Sequence, residues 1–321
     1  MGWLLSAVDL CRAATNNGLE REDAGGGRPG HVEAVASRVG DWRRPGVGAG
    51  KQTNMSKEES PLAAVPRRHS RPGGCGLWLP LLLYAAPGFA AHPLITEDTA
   101  TQGRGNGQLE LTAEYGHDEA SDAREDALDL AAVLTYGLRN ELDLLLTLPY
   151  SRADTLARGA ETTAHGIGDV GLDAKWRFLE AGRWSMALKT GVTFPTGDDT
   201  RNLGAGKFNV SANIVTAYET ARWGYYLHLG HIRNRNVHGE RDVIHHASVA
   251  LVHTVSDRLK LVADLGQFTS TDRSVSVDAR FLTLGVIFGI RDDLDLDFGW
   301  KRGLTDPETD TTLLLGMALR F

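Results

Sequence analysis

Three groups of side chains in this 321-residue chain have the types and spacing for chemistry. The largest is a set of carboxylates and cations at alternate positions: Glu110, Glu114, Asp129, Asp143, Asp173, Asp264, Asp293, Asp295 and Asp297, offset by Lys175, Arg177, Lys189, Lys260, Lys301 and Arg320. On one shared face they would form a wall of both signs, either lining a hydrated, weakly cation-favouring pathway or pairing across it and filling it. The second group is six histidines, His228, His231, His238, His245, His246 and His253. Converging imidazoles can bind a transition metal, but no pair here has the spacing of a known zinc site, so no metal is expected. The third is His246-Ala247-Ser248, a base and a hydroxyl two residues apart, which would share a face of a strand as nucleophile activation requires.

The elements that must position these groups are strands. From residue 92 onward the dominant period is two. Leu142, Leu144, Leu146 and Leu148 share one parity with Glu141 and Asp143 on the other, and Leu294, Leu296, Phe298 and Trp300 alternate with Asp293, Asp295 and Asp297. Successive strand side chains point to opposite faces, so each segment has an apolar and a polar face; helical pitch would scatter the acids around a cylinder. Twelve segments are expected, at 107–116, 127–136, 141–150, 168–178, 184–194, 208–219, 223–232, 244–255, 258–268, 280–289, 293–301 and 311–321. Both faces of 244–255 are mixed, so its register stays open.

Five short connections alternate with six long ones, the long ones near 117–126, 151–167, 195–207, 233–243, 269–279 and 302–310. Aromatic residues sit at both ends of the segments. Tyr136, Phe178, Trp184, Tyr218, Trp223 and Phe288 lie beside the short turns, and Tyr115, Tyr150, Phe194, Phe208, Phe268 and Trp300 beside the long loops. Short turns, long loops and two aromatic girdles describe an all-β, antiparallel, up-and-down transmembrane β-barrel of about twelve strands. The apolar parity must face lipid, because a cation near the bilayer midplane costs about 2–4 kcal/mol and an acid somewhat less. A secreted β-sandwich is the competing all-β reading.

Composition agrees. No uncharged apolar run reaches the length of a spanning helix, and a net charge of −7 makes nucleic acid an unsuitable partner. Residues 1–91 carry 11 basic and 8 acidic side chains, whereas 92–321 carry 23 and 33. Both cysteines, Cys11 and Cys75, belong to the first part, which removes thiol chemistry from the second. The basic flank Arg67-Arg68 and Arg71, the apolar run 77–84 and the small residues to Ala91 make 55–91 a secretory signal peptide, cut after Ala90 or Ala91. Met55 is then the expected start, with 1–54 a disordered, non-native extension. Residues 92–106 are expected as a periplasmic segment and 107–321 as the barrel, placing the protein in a bacterial outer membrane.

The residues Gly166-Ile167-Gly168-Asp169, Phe194-Pro195-Thr196-Gly197-Asp198 and Gly204-Ala205-Gly206 resemble motifs of the family named "putative MetA-pathway of phenol degradation". The start, from His92-Pro93 to Thr99, and the end at Phe321 fit as well, so the resemblance covers about 92–321. It implies an outer-membrane barrel for passive uptake of small organic compounds, aromatic ones included, with no catalytic residues and no cofactor. The terminal Leu313, Leu315, Met317, Leu319 and Phe321 resemble the signal read by the barrel-assembly machinery. Outer-membrane lipid and lipopolysaccharide are the other expected partners. Two alternatives stand beside transport: a barrel lipid hydrolase and a plugged, structural barrel. His246 and Ser248 match the His and Ser of outer-membrane phospholipases, but Val249-Ala250 replaces the Asn-Gly such enzymes carry.

Overall fold

The computed structural model describes residues 92–120 and 123–321. The expectations for 1–54 and for the signal peptide at 55–91 lie outside the described residues. The strands run β1 (Gly107–Ala120), β2 (Ala123–Arg139), β3 (Leu142–Ala157), β4 (Ala160–Ile167), β5 (Val170–Ala181), β6 (Trp184–Phe194), β7 (Asn209–Glu219), β8 (Trp223–Arg233), β9 (Val243–Ser256), β10 (Leu259–Phe268), β11 (Ala279–Arg291), β12 (Leu294–Gly303) and β13 (Thr311–Arg320). Sequential strands pair antiparallel except β4 and β5, which both pair with β3, and β1 pairs with β13 from Gln108↔Arg320 to His117↔Thr311, so the sheet closes on itself.

The thirteen strands make twelve staves. Leu142–Thr147 of β3 pairs with β5, while Tyr150–Ala157 of the same strand pairs with β4. β4 and β5 therefore occupy one place in the ring, one above the other. Closure is what hydrocarbon requires, since an unpaired backbone N–H or C=O there has no water to turn to.

Two stretches expected as loops, 117–126 and 151–167, are mostly strand. The β1–β2 ladder continues to Ala120↔Ala123 and the β3–β4 ladder to Ala157↔Ala160. Beyond the membrane both faces of a strand meet water. Apolar alternation therefore stops there while backbone pairing continues, and the hydropathy pattern under-reports the strand.

Register follows the expected parity. Leu111, Leu146, Leu227, Leu265, Leu296 and Leu315 are exposed on the outside, while Asp143, Lys189, Asp264 and Thr283 are buried within. In β9 the structure decides what the pattern left open: Ile244, His246, Ser248 and Ala250 are buried inside, and His245 and Val249 are exposed outside. Phe268 departs from the expected girdle. It shares the parity of buried Asp264 and stacks on His246, its ring turned into the barrel.

A single charge on the outer face tests this register. Leu227→Arg, near the middle of β8, should destabilise the barrel by about 2–4 kcal/mol, read as a shift in the urea midpoint of reversible folding into vesicles. An unchanged midpoint would place that face against water.

Candidate functional site

The interior is organised by a segment ahead of the barrel. Residues 92–99, expected in the periplasm, lie in the lumen, and His92, Thr96, Glu97 and Thr99 are buried there. The backbone N–H groups of Ile95 and Thr96 donate to Asp264 Oδ2 at 2.8 and 2.7 Å, Thr96 Oγ1 donates to Asp264 Oδ1 at 2.8 Å, and the Thr96 and Ser248 hydroxyls are hydrogen-bonded at 2.6 Å. His92 Nδ1 bonds Asp297 on β12. Thr99 Oγ1 meets Ser185 Oγ on β6 at 2.6 Å, and the Gln102 N–H donates to Asp143 on β3 at 2.9 Å. One short stretch thus joins walls on opposite sides of the ring. Charged inward groups need partners at this depth, and the segment provides them.

Glu97 is its electrostatic centre. Lys189 donates to its carboxylate, and Lys175 stands 3.8 Å away while also bonding Asp98. Burial raises the Glu97 carboxyl, yet it is held well below the usual range, with Lys189 and, less strongly, Lys175 among the groups that lower it. A lowered carboxyl pKa stabilises the seated segment above the ordinary carboxylate pKa; the contribution falls away only in acid.

Shape complements charge. Leu94 packs with Ala217, Tyr226, Ala250, Val262 and Ile287 in a small apolar cluster inside the ring. Beside it, Gly285 on β11, Gly299 on β12 and Gly316 on β13 turn their missing side chains inward. A Cβ on Gly285 would stand 2.6 Å from Pro93 Cγ, one on Gly299 2.7 Å from Pro93 Cβ, and one on Gly316 2.4 Å from His92 Nδ1. These glycines clear the channel in the wall where His92-Pro93 lies.

All the expected wall residues except Asp293 turn inward. Asp143, Asp173, Lys175, Lys189, Asp264, Asp297 and Asp129 are buried. Glu110 accepts from Gln108, Asp295 pairs with Arg320 at 2.5 Å, and Lys301 with Glu308 at 2.7 Å. Arg177 reaches Glu180 at 3.3 Å near the short-turn rim. Glu114 and Lys260 are half-buried on the same face. Asp293 instead sits in the turn before β12, half exposed and paired with Arg291 at 3.0 Å. The turn ends the alternation one residue before β12 begins.

The glycine-rich motifs build the long-loop rim. Asp169, between β4 and β5, is a post around which the next long loop folds. Its Oδ1 accepts from Gly197 N at 2.9 Å and its Oδ2 from Ala205 N at 2.8 Å. Gly204 must lack a side chain, since a Cβ there would be 2.4 Å from Asp169 Oδ1. Thr196 Oγ1 accepts from Val170 N and donates to Gly168 O, and Gly168 N donates to Pro149 O at 3.0 Å. Gly166 stands at φ +156° against Leu203, which is buried. Pro195 leads from β6 into this loop. Asp198 accepts from Thr200 and Arg201, which hold its carboxyl below the ordinary value. The next two loops are tied by exchanged arginines: Arg241 donates to the Ser270 and Val275 carbonyls, and Arg273 to those of Gly239 and Glu240.

The six histidines are not brought to one point. His228 and His246 face the lumen, His231, His245 and His253 lie on the outer parity, and His238 bonds Gly204 O in a long loop. His246 and Ser248 share the inner face as their spacing requires. Ser248 Oγ is hydrogen-bonded to Thr96 Oγ1, however, while His246 Nε2 has no hydrogen-bond partner. The hydroxyl is therefore bonded to the lumenal segment and not to the base, on the side of the wall away from lipid.

A closed antiparallel ring with an apolar outside, a charged inside and long loops on one rim is an outer-membrane β-barrel. The chain belongs to the family described as "Putative MetA-pathway of phenol degradation", which matches residues 90–321. Among solved structures, an outer membrane channel from Pseudomonas putida F1 superposes with a TM-score of 0.60 at 18% identity, over 70% of this chain and 98% of that one. The KdgM porin in complex with disordered oligogalacturonate gives 0.48 at 8% identity, over 67% and 99% of the two chains. The CymD monoaromatic hydrocarbon channel gives 0.41 at 8%, over 68% and 89%. No curated protein matches the sequence.

Two substitutions test the site. Gly299→Val should expel the segment, so that residues 92–99 become cleavable by a protease added to the short-turn side while the barrel keeps its heat-modifiable mobility; continued protection would contradict the fit. Asp169→Ala removes two hydrogen bonds to a charged acceptor, about 1.5–3 kcal/mol each. Trypsin should then cut at Arg201 or Lys207 in folded protein, where the wild type resists.

Proposed function

We propose that this barrel passes small organic compounds, aromatic ones included, passively across the outer membrane, with residues 92–99 as its constriction, and that it catalyses no reaction. The observation that carries this reading is the character of the interior. Every stave turns charged or polar side chains inward, and the buried apolar ones among them, such as those about Leu94 and the ring of Phe281, interrupt that wall only locally. A polar lumen in a closed barrel is a route for solute and water, narrowed where the segment crosses. The family description, which names phenol degradation, and the description of the Pseudomonas putida structure as a channel support it. Within the same proposal, exposed Phe321 serves as the signal for the assembly machinery, and lipopolysaccharide surrounds the long-loop rim.

Against a lipid hydrolase stands the arrangement at Ser248, which faces the lumen and is bonded to Thr96 rather than to His246.

The test is conductance in planar bilayers together with uptake of 4-hydroxybenzoate, an aromatic anion that crosses lipid poorly, into proteoliposomes. The wild type should conduct in small steps and admit the solute. Deleting residues 92–99 should raise the conductance several-fold. Glu97→Gln, which leaves Lys175 and Lys189 with less counter-charge, should move the reversal potential toward anion preference. Folded, heat-modifiable protein that neither conducts nor admits the solute, even with the segment deleted, would overturn the proposal.

A further inference from the structure

The lipid-facing side chains of β8 to β11 change character at one height. On β8, Tyr225, Leu227 and Leu229 follow Trp223 of the short-turn girdle, and His231 and Arg233 come next on the same face. The outward series of β9 runs from His253, stacked on Trp223, up to His245, and that of β11 from Phe288 up to Arg280. On each strand eight residues separate the ring from the basic side chain. At about 3.3 Å of rise per residue and a tilt of about 40° that climb is about 20 Å, which reaches the upper edge of an apolar band about 25 Å tall.

The basic groups form one row across four staves. His231 faces His245 directly across the β8–β9 ladder, with ring centroids 5.1 Å apart, and Gln267 on β10 faces Arg280 on β11. His231, Arg233, His245 and Arg280 are exposed, and among the described residues none of their side chains has an ion-pair or hydrogen-bond partner. The neighbouring acids are engaged elsewhere: Asp242 pairs with Arg273 at 3.0 Å, and Asp278 accepts from Gln267 at 3.3 Å. The other half of the rim is built differently. There Tyr115, Tyr150 and the T-shaped pair Phe194 and Phe208 lie beside the long loops, and the cations near them, Arg124 and Arg152, are answered on their own strands by Asp126 at 2.8 Å and Asp154 at 2.9 Å.

Unanswered cations at the edge of hydrocarbon call for an anion from the leaflet itself, and a guanidinium grips phosphate with two parallel hydrogen bonds. The spacing selects among lipids. From β8 to β11 there are three strand gaps, about 14 Å in all. The row therefore has two poles: Arg233 with the two imidazoles, and Arg280 with the Gln267 amide. A disaccharide headgroup with a phosphate at each end can reach both; a glycerolipid with one phosphate reaches only one. Resting on the lipopolysaccharide contact stated above, we propose that β8 to β11 carry a specific site for one lipid A headgroup, with Arg233, His231 and His245 on one phosphate and Arg280 and Gln267 on the other. The aromatic half of the rim carries no such site.

The experiment titrates protein purified from outer membranes in detergent with diphosphoryl lipid A, monophosphoryl lipid A and phosphatidylglycerol, read by native mass spectrometry. The wild type should hold one diphosphoryl lipid A roughly tenfold or more tightly than either competitor, the effect of about one charged hydrogen bond. Arg280→Gln should bind the two lipid A forms alike, and Arg233→Gln with Arg280→Gln should lose the preference over phosphatidylglycerol as well. Arg124→Gln with Arg152→Gln should behave as wild type, and all variants should keep their heat-modifiable mobility. Equal loss in both paired variants, or a preference untouched by Arg233→Gln with Arg280→Gln, would overturn the site. So would displacement of the lipid by inorganic phosphate alone, which would make the row a simple anion site. A wild type that holds lipid A without regard to its second phosphate refutes the site and leaves the lipopolysaccharide contact, whereas one that holds none refutes both. Conductance of the same samples reports on the channel independently of either.

Discussion

In hydrocarbon a backbone amide has only another backbone group to bond, and the rest of this structure depends on that constraint. A sheet satisfies it only by closing, so β1 must find β13 and every strand between must keep its register. Closure then sorts every side chain by parity alone. Alternate residues go to lipid, where a charge is penalised, and the others go inward, where charge is tolerated if it is answered. The polar interior is a consequence of the apolar exterior, imposed one residue at a time along each strand.

Inward charges must be answered in turn, and two solutions appear side by side. Near the rims they pair along or across strands, as Asp295 does with Arg320 and Lys301 with Glu308. At mid-height the partners come from outside the barrel sequence. Asp264 takes two backbone N–H groups and a hydroxyl from the 92–99 segment, and Lys175 and Lys189 take its two carboxylates. The segment is held by groups that water could also solvate, with one apolar contact set about Leu94. Such a plug narrows a passage without turning it into a hydrophobic core, which is why a constricted channel suits the interior better than a filled barrel.

The alternation of Asp293 to Trp300, or of Leu142 to Leu148, was sufficient to read the barrel, its strand number, its inward charges and most of its girdles. Two kinds of feature escaped it. Where strands leave the membrane, as in 117–126 and 151–167, both faces are wet and the apolar signal ends before the ladder does. The lumenal segment escaped because it has no period at all; its contacts are made to strands as far as 205 residues away, as between His92 and Asp297. A trace was nevertheless present. Gly285, Gly299 and Gly316 fall on the inward parity of three consecutive strands, and Phe268 and Phe281 on the inward parity of two, departures that mark where something must approach the wall or stack on it. The motif at Asp169 was visible as a motif, but its purpose, tying loop 195–207 to a carboxylate post, needed coordinates.

The central claim is that residues 92–99 occupy the lumen, and proximity measures it most directly. Thr96 Oγ1 and Ser248 Oγ are 2.6 Å apart across 152 residues of sequence. Protein carrying Thr96→Cys and Ser248→Cys, oxidised mildly in intact outer membranes, should form the cross-link in nearly every molecule, with reduction restoring the uncross-linked mobility. Absence of the cross-link, together with rapid labelling of Cys at 96 by a bulky periplasmic thiol reagent, would place the segment outside the barrel and contradict the account.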